Sequence, residues 1–399
     1  MRVALSYRVL QHWRTPVFRR LAQWPGIEFR AFYGADFPGT KVVSGKDLSG
    51  FDHHRMSTIK IRLPYEGETH GLPICPALSW HLARFRPDVI LAEGANNINN
   101  AMVYAYAALT RTPVVWWTLG ELRKHETMSL KMRAWRVLHW GLERRSTALL
   151  GYSSLALRYF DSMGYPREKQ FRAVNCVDSD RVLARLDAAR AAVPELRTRL
   201  GLDGCRVLVF VGALTPAKRL EDLLLAYRAL REWFPDLRVL IVGDGPHRRP
   251  LEEFAAAQGV EEGVVFAGEQ VEEVSSYFLL GDIFVLPGLG GLSISEAMSH
   301  SLPVVVTKAD GCELDLVEVG RNGYIVGVGD FAGLTRALQG MLSNRELLAS
   351  MAAHSRWIID NRYNINTYMT NVVAALDYAY HKSRGEEAPA RPAICELPS

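Results

Sequence analysis

The sequence predicts an α/β protein made of two doubly wound parallel-sheet domains, and three observations point there. Short apolar runs alternate with helical stretches of ten or more residues, the pattern of βαβ units. That rhythm occurs twice, on either side of a charged, Ala-rich connector between Asp178 and Leu200. A chain of 399 residues is also longer than one hydrophobic core ordinarily serves.

The first half carries strand-like runs at residues 2–6, 27–33, 88–92, 113–117 and 148–151, with helical stretches at 16–24, 98–109 and 130–145. Pro194 is expected to interrupt the connector, because proline removes a helix donor. A second series follows at 207–211, 238–242, 264–266, 283–286 and 304–307. Each run is short, β-branched and largely apolar, as strands buried on both faces are. A helix is expected at 220–230, and the polar stretch 384–399 reads as a disordered tail.

Composition removes whole classes of function. With 48% hydrophobic and 23% charged residues, the chain is neither disordered nor fibrous. Its longest clean apolar run, 101–109, is less than half of the roughly 20 residues that span a bilayer. Arg8 interrupts the start too early for a signal-peptide core. The cysteines (Cys75, Cys176, Cys205, Cys312 and Cys395) are odd in number and scattered, with no Cys-x-x-Cys pair. Neither a disulfide scaffold nor a cysteine zinc site is supported, and a reducing cytoplasm is the expected compartment.

Charge divides by halves. Residues 1–190 hold 28 Lys and Arg against 16 Asp and Glu, and residues 191–399 hold 19 against 27. Much of the basic excess lies between Arg123 and Arg145, where Lys131, Arg133 and Arg136 interleave with Trp135 and Trp140. Cations beside indoles suit a bilayer interface, so peripheral contact with the inner face of a membrane is expected. An ordinary amphipathic helix with a solvated basic face is the other reading. Nucleic acid is not expected as a partner, because no binding motif accompanies the patch.

In open α/β sheets ligands bind beyond the carboxyl ends of the strands. After the strand at 207–211 come Gly212 and then Lys218 and Arg219, cations placed where a strand gives way to a helix and suited to a phosphate. After 238–242 comes Gly243-Asp244-Gly245-Pro246, whose glycines allow a tight turn and close backbone approach. The sharpest segment runs from Pro287 through Gly290, Gly291, Leu292 and Ser293 to Glu296. A buried strand there enters a glycine loop that opens a helix, so amides point outward with the positive helix end behind them. Glu296 lies four residues after Leu292 on the same helix face, where a carboxylate can accept both hydroxyls of a ribose diol.

Taken together, Gly-x-Leu-x-Pro-x-Lys218, Gly243-Asp244-Gly245-Pro246 and Gly291-Leu292-x-x-x-Glu296-Ala297-Met298 resemble the family-four retaining glycosyltransferases. Asp310-Gly311-Cys312-Glu313 and Asn322-Gly323-Tyr324 continue the likeness, which is specific over 175–328 and loose before it. It implies a GT-B fold, in which two Rossmann-like domains face each other, an acceptor-side domain at 1–175 and a donor domain at 176–362. A helix at 363–383 would cross back to the first domain. It also implies that Lys218 contacts the donor diphosphate and Glu296 the ribose, these two carrying catalysis. Gly212, Arg219, Gly243, Gly245, Gly290, Gly291, Leu292 and Ser293 would complete the donor site.

The activity implied is transfer of a hexosyl-type sugar from a nucleotide-diphosphate sugar to a glycan or lipid-linked acceptor, in surface polysaccharide or glycolipid synthesis. No metal and no cofactor are implied.

Three positions depart from the pattern. Ala213 stands where an Arg is usual, with Arg219 as the substitute at hand. Gly288 stands where the paired-glutamate motif has its first acid, which in the family touches the donor sugar. Thr118-Leu119-Gly120 lacks the usual His, leaving Glu121 and His125 as candidates from the same loop. On the acceptor side, Arg14 and Glu93 follow first-half strands. A nucleotide-sugar epimerase and a non-catalytic nucleotide-sugar-binding protein fit the same donor motifs.

Overall fold

The computed structural model describes residues 1–37, 43–65, 68–94, 97–120 and 130–390, with side chains except at 63–65, 68–70, 97 and 130–135. It divides into two units, Met1–Val174 with Asn366–Ser399, and Asn175–Ile365.

In the first unit the order is β1 (Arg2–Tyr7), α1 (Thr15–Ala22), β2 (Glu28–Tyr33), β3 (Asp52–Arg55), β4 (Ile59–Tyr65), β5 (Glu68–Ile74) and α2 (Leu78–Phe85). It continues with β6 (Val89–Glu93), α3 (Asn97–Thr110), β7 (Val114–Thr118), α4 (Leu130–Arg145), β8 (Ala148–Gly151), α5 (Ser154–Ser162) and β9 (Gln170–Arg172). Seven strands form one parallel sheet in the order β3-β2-β1-β6-β7-β8-β9, with Val3 opposite Val89 and Leu5 opposite Leu91. Strands β6, β7 and β8 are buried along their whole length. Helices cover both faces of such a sheet, and that is why these strands read as unbroken apolar runs.

The sequence reading missed β3, and its composition explains the miss. Asp52-His53-His54-Arg55 is an exposed edge with no apolar pattern, and charged side chains there discourage pairing with another chain. It likewise missed the β4–β5 hairpin, which pairs Ile59 with Ile74 outside the main sheet.

The second unit begins with α6 (Ser179–Arg199), β10 (Arg206–Val211), α7 (Leu220–Leu230), β11 (Leu237–Val242), α8 (Arg248–Ala257), β12 (Val264–Gly268) and α9 (Val274–Phe278). Then come β13 (Ile283–Leu286), α10 (Leu292–Ser299), β14 (Val304–Thr307), α11 (Glu313–Leu316), β15 (Gly323–Val326), α12 (Phe331–Leu342) and α13 (Arg345–Asn361). All pairings are parallel and the order is β12-β11-β10-β13-β14-β15. Strand order reverses direction between β10 and β13, which brings the loops that leave these two strands side by side. Ligands of doubly wound sheets bind at such a switch point.

One expectation is corrected. Helix α6 does not break at Pro194 but runs through it. Proline removes one donor and crowds the carbonyl four residues back. Val182, Leu186 and Ala189 before Pro194 and Leu196 after it are all buried, and that burial outweighs the local cost.

The final helix, α14 (Ile365–Arg384), packs within the first unit from Asn366 onward. Arg20 Nη1 donates to Asn366 Oδ1 at 3.0 Å, and the Tyr378 ring lies 5.4 Å from that of Phe171. Of the expected tail, residues 388–390 line a groove with Trp24 and Tyr378, and 391–399 lie outside the described residues.

Restoring the missing donor should strengthen α6. Pro194→Ala is expected to stabilise the chain by about 1–2 kcal/mol, read as a higher midpoint in urea unfolding. An unchanged or lowered midpoint would mean that the helix gains nothing from that donor.

Candidate functional site

The carboxyl edge of the second sheet is held by backbone packed on backbone. Gly212 N donates to Val242 O at 2.9 Å, Leu214 N to Asp244 O at 2.9 Å, and His247 N to Leu214 O at 3.1 Å. Gly243 has φ +137°, and a Cβ there would lie 1.9 Å from the Gly212 carbonyl oxygen. The close approach that these glycines permit is therefore to the chain itself. Their amides are also committed, Gly243 N to Gly268 O at 2.8 Å and Gly245 N to Asp244 Oδ1 at 2.7 Å. Gly212, Gly243 and Gly245 thus shape the site without offering N–H groups to a ligand.

The same kind of contact seats the next loop. Leu289 N donates to Ala217 O at 2.8 Å, and a Cβ on Gly288 would fall 2.3 Å from Ala217 O and 2.6 Å from Lys218 O. No side chain fits at position 288, which explains the missing first acid. Lys218 Nζ donates to Leu289 O, and its ammonium lies 2.9 Å from where a Cβ on Gly290 would be. Beyond it α10 starts at Gly291 with no side-chain cap. Among the described residues no acceptor engages the amides of Gly290, Gly291, Leu292 or Ser293. Uncommitted amides at a helix N-terminus beside a lysine form a cradle for an anion.

Glu296 lies one turn into α10 and is half-buried. Burial pushes its carboxyl up to about 7, while the charge of Arg181 on α6 pulls the other way. No hydrogen bond reaches that carboxylate among the described residues. Behind it His300 is held to the Glu296 carbonyl through Nδ1 at 2.7 Å and stacks on Phe278 at 4.8 Å. Burial pushes the His300 ring down to about 4.

Two motif residues of the last third are pins. Glu313 is buried and accepts from Ala309 N at 3.0 Å and Gly311 N at 2.9 Å. Asn322, fully buried, bonds Leu316 O at 3.0 Å and Glu318 N at 2.8 Å. Asp310, read in the sequence only as part of the Asp310-Gly311-Cys312-Glu313 motif and given no role there, brings its carboxylate against Gly291. Its place after the buried strand β14 was the signal that could have given it one. Arg219 is committed elsewhere: its guanidinium holds both carboxylate oxygens of Asp222 at 2.8 and 3.2 Å.

In the first unit, Arg14 and Glu93 both lie at carboxyl ends of strands, and both are engaged. Arg14 is only 5% exposed, with its guanidinium 4.8 Å from the Trp117 ring, 4.7 Å from the Tyr152 ring and 3.2 Å from Tyr368 Oη. Glu93 accepts from the backbone N and the Nε of Arg8, each at 3.0 Å. Arg8 and Tyr152 were missed, although Arg8 directly follows β1. Glu121 and His125 lie outside the described residues.

The Glu296 shift has a stability consequence with a definite sign. A carboxyl raised from 4.5 to about 7 keeps a proton that the unfolded chain gives up. Its contribution is complete below pH 4.5 and is lost as pH rises through 7. Glu296→Gln should therefore be the more stable protein at pH 8, by about 2–3 kcal/mol, and should match the parent at pH 4. Thermal melts across that range read the difference, and parallel curves would contradict the shift.

Residues 193–356 match the family described as "Glycosyl transferases group 1". The GDP-mannose-dependent alpha-(1-6)-phosphatidylinositol monomannoside mannosyltransferase of Mycolicibacterium smegmatis is 32% identical over 197 residues, 46% of this chain and 50% of that protein. Sulfoquinovosyl transferase SQD2 of Arabidopsis thaliana is 27% identical over 71% of this chain and 55% of that protein. The chain spans about half the length of the curated relatives it matches. In structure, Anabaena HepE in complex with UDP aligns with 94% of this chain and 99% of that one, with a TM-score of 0.73 at 17% identity. That likeness is one of fold, the two parallel-sheet α/β domains of the GT-B class. With the glycine loop, Lys218 and Glu296 gathered at its switch point, the segment 193–356 is similar to the group 1 glycosyl transferases.

Proposed function

We propose that this chain is a retaining glycosyltransferase that moves a hexosyl-type sugar from a nucleotide-diphosphate sugar to a glycan or lipid-linked acceptor. The observation that carries the reading is the run of uncommitted amides at Gly290–Ser293 with Lys218 beside it. As the bond from the anomeric carbon to the diphosphate breaks, negative charge grows on the leaving oxygens. Fixed amides, a helix dipole and an ammonium stabilise that charge without reorganising. The ionised Glu296 accepts the ribose hydroxyls. The acceptor oxygen forms its new bond to the anomeric carbon on the face the diphosphate leaves, and its hydroxyl proton passes to the departing diphosphate oxygen. In this proposal the protein's own cations and amides neutralise the diphosphate, with no metal.

A lipid-linked acceptor and an inner-membrane setting belong to the same proposal. The mycobacterial relative is named for a phosphatidylinositol acceptor. On α4, Val137 is 65% exposed and Leu138 37%, and Arg136 lies 4.4 Å over the Trp140 ring. Among the described residues no helix is long and apolar enough to cross a membrane, so contact through α4 would be peripheral. Surface polysaccharide or glycolipid synthesis on the cytoplasmic side is the pathway class that fits.

Two measurements test these parts separately. Lys218→Ala removes a charge-assisted hydrogen bond of about 1.5–3 kcal/mol. It should weaken nucleotide-sugar binding about ten- to hundredfold by titration calorimetry, and unchanged binding would take Lys218 out of the site. Neutralising Lys131, Arg133 and Arg136 together should lower sedimentation with anionic vesicles by about a hundredfold, since each cation near such a surface contributes about 1 kcal/mol. Undiminished binding would leave α4 an ordinary surface helix.

A further inference from the structure

Asp310 has no place in the donor site as described so far, yet it borders the anion cradle. A Cβ on Gly291 would lie 2.4 Å from its Oδ2 and 2.9 Å from its Oδ1. Oδ1 accepts from Cys312 N at 3.1 Å, and the carboxylate is also hydrogen-bonded by the Cys312 thiol and by its own backbone N–H. Every donor that reaches this carboxylate comes from its own loop, residues 310–312, and no cation pairs with it among the described residues. The carboxylate of Glu313 repels it. Nor does it cap α10, since none of the first-turn amides donates to it.

An acid in that position is unfavourable both to the fold and to a diphosphate held at the neighbouring amides. Hydroxyl donors remove both difficulties, because a carboxylate is an acceptor for them and their dipoles screen it from the phosphates. The group that follows the second phosphate of a nucleotide-diphosphate sugar is the sugar, whose polar surface is hydroxyls. Lys218 serves the diphosphate and Glu296 lies one turn further into the helix. Position 288, on the facing side of the loop, admits no side chain.

We propose that the Asp310 carboxylate binds hydroxyls of the transferred sugar and so selects which sugar the donor carries. This rests on the nucleotide-sugar reading above and deepens it.

The test separates sugar from nucleotide. Calorimetry would measure UDP, GDP, UDP-glucose, UDP-N-acetylglucosamine and GDP-mannose against the parent, Asp310→Asn and Asp310→Ala. Asn keeps the size of the side chain and an oxygen for Cys312 N, so this variant folds if the site is otherwise intact, as a thermal melt verifies. The expected result is a loss of at least tenfold for the bound nucleotide sugar, with the matching nucleoside diphosphate within twofold of the parent. A deoxy analogue lacking the contacted hydroxyl should bind the parent more weakly and Asp310→Asn no more weakly than the full sugar does. Equal losses for diphosphate and nucleotide sugar, a tightening of both, or no change would overturn the assignment while leaving the donor site standing. A parent protein that binds none of the five compounds would overturn the donor reading and this inference together.

Discussion

Backbone pressed directly onto backbone at the carboxyl ends of β10, β11 and β13 is the constraint on which the site depends. The carbonyls of Gly212 and of residues 217 and 218 occupy the space where side chains at Gly243 and Gly288 would stand. This packing locks three loops into one surface. Lys218 is thereby brought over Gly290, and α10 starts with open amides instead of a capped turn. A single methyl group at either glycine would need the loops to separate, because interiors at this density do not absorb atoms without shifts.

The two units differ in how they treat buried charge. In the first, Arg14 is boxed by rings and a tyrosine hydroxyl, and Glu93 is matched to Arg8. Such groups are engaged by their own unit and hold its elements in place. In the second, Glu296 is withdrawn from water with no hydrogen bond among the described residues and Asp310 with donors only from its own loop, and burial pushes both carboxyls up. Buried acids that face no cation partner mark a surface shaped for something other than the chain itself. Arg219 shows how local chemistry decides between the two cases. Three residues ahead of Asp222, it meets a carboxylate in the first turn of its own helix and stays there.

Much of this was legible in the sequence because parallel strands buried on both faces leave a strong mark. The runs at 207–211, 238–242 and 304–307 appear almost unchanged as β10, β11 and β14. Helix α4 spans residues 130–145 as its apolar spacing predicts. Elements that lacked this mark were missed: the polar edge β3, the hairpin outside the main sheet, and the short β15 with its partly exposed strand. Within the site, residue types that bind phosphate were visible from their spacing. The commitments of individual groups were not. Whether the Gly245 amide is open or already bonded to Asp244, and whether Arg219 reaches a ligand or Asp222, depends on contacts between side chains and backbone turns that no periodicity encodes.

The return of α14 to the first unit has a bearing on how the protein is made. The second unit is one continuous stretch, Asn175–Ile365, whereas the first is completed only by residues from Asn366 onward. On a ribosome, chain emerges in order and domains tend to fold as units. Here the earlier-made half must wait, with the box around Arg14 open on the side that Tyr368 closes, while the later-made half can finish first. A helix made after the whole second unit is thus the one that seals the sheet made before it.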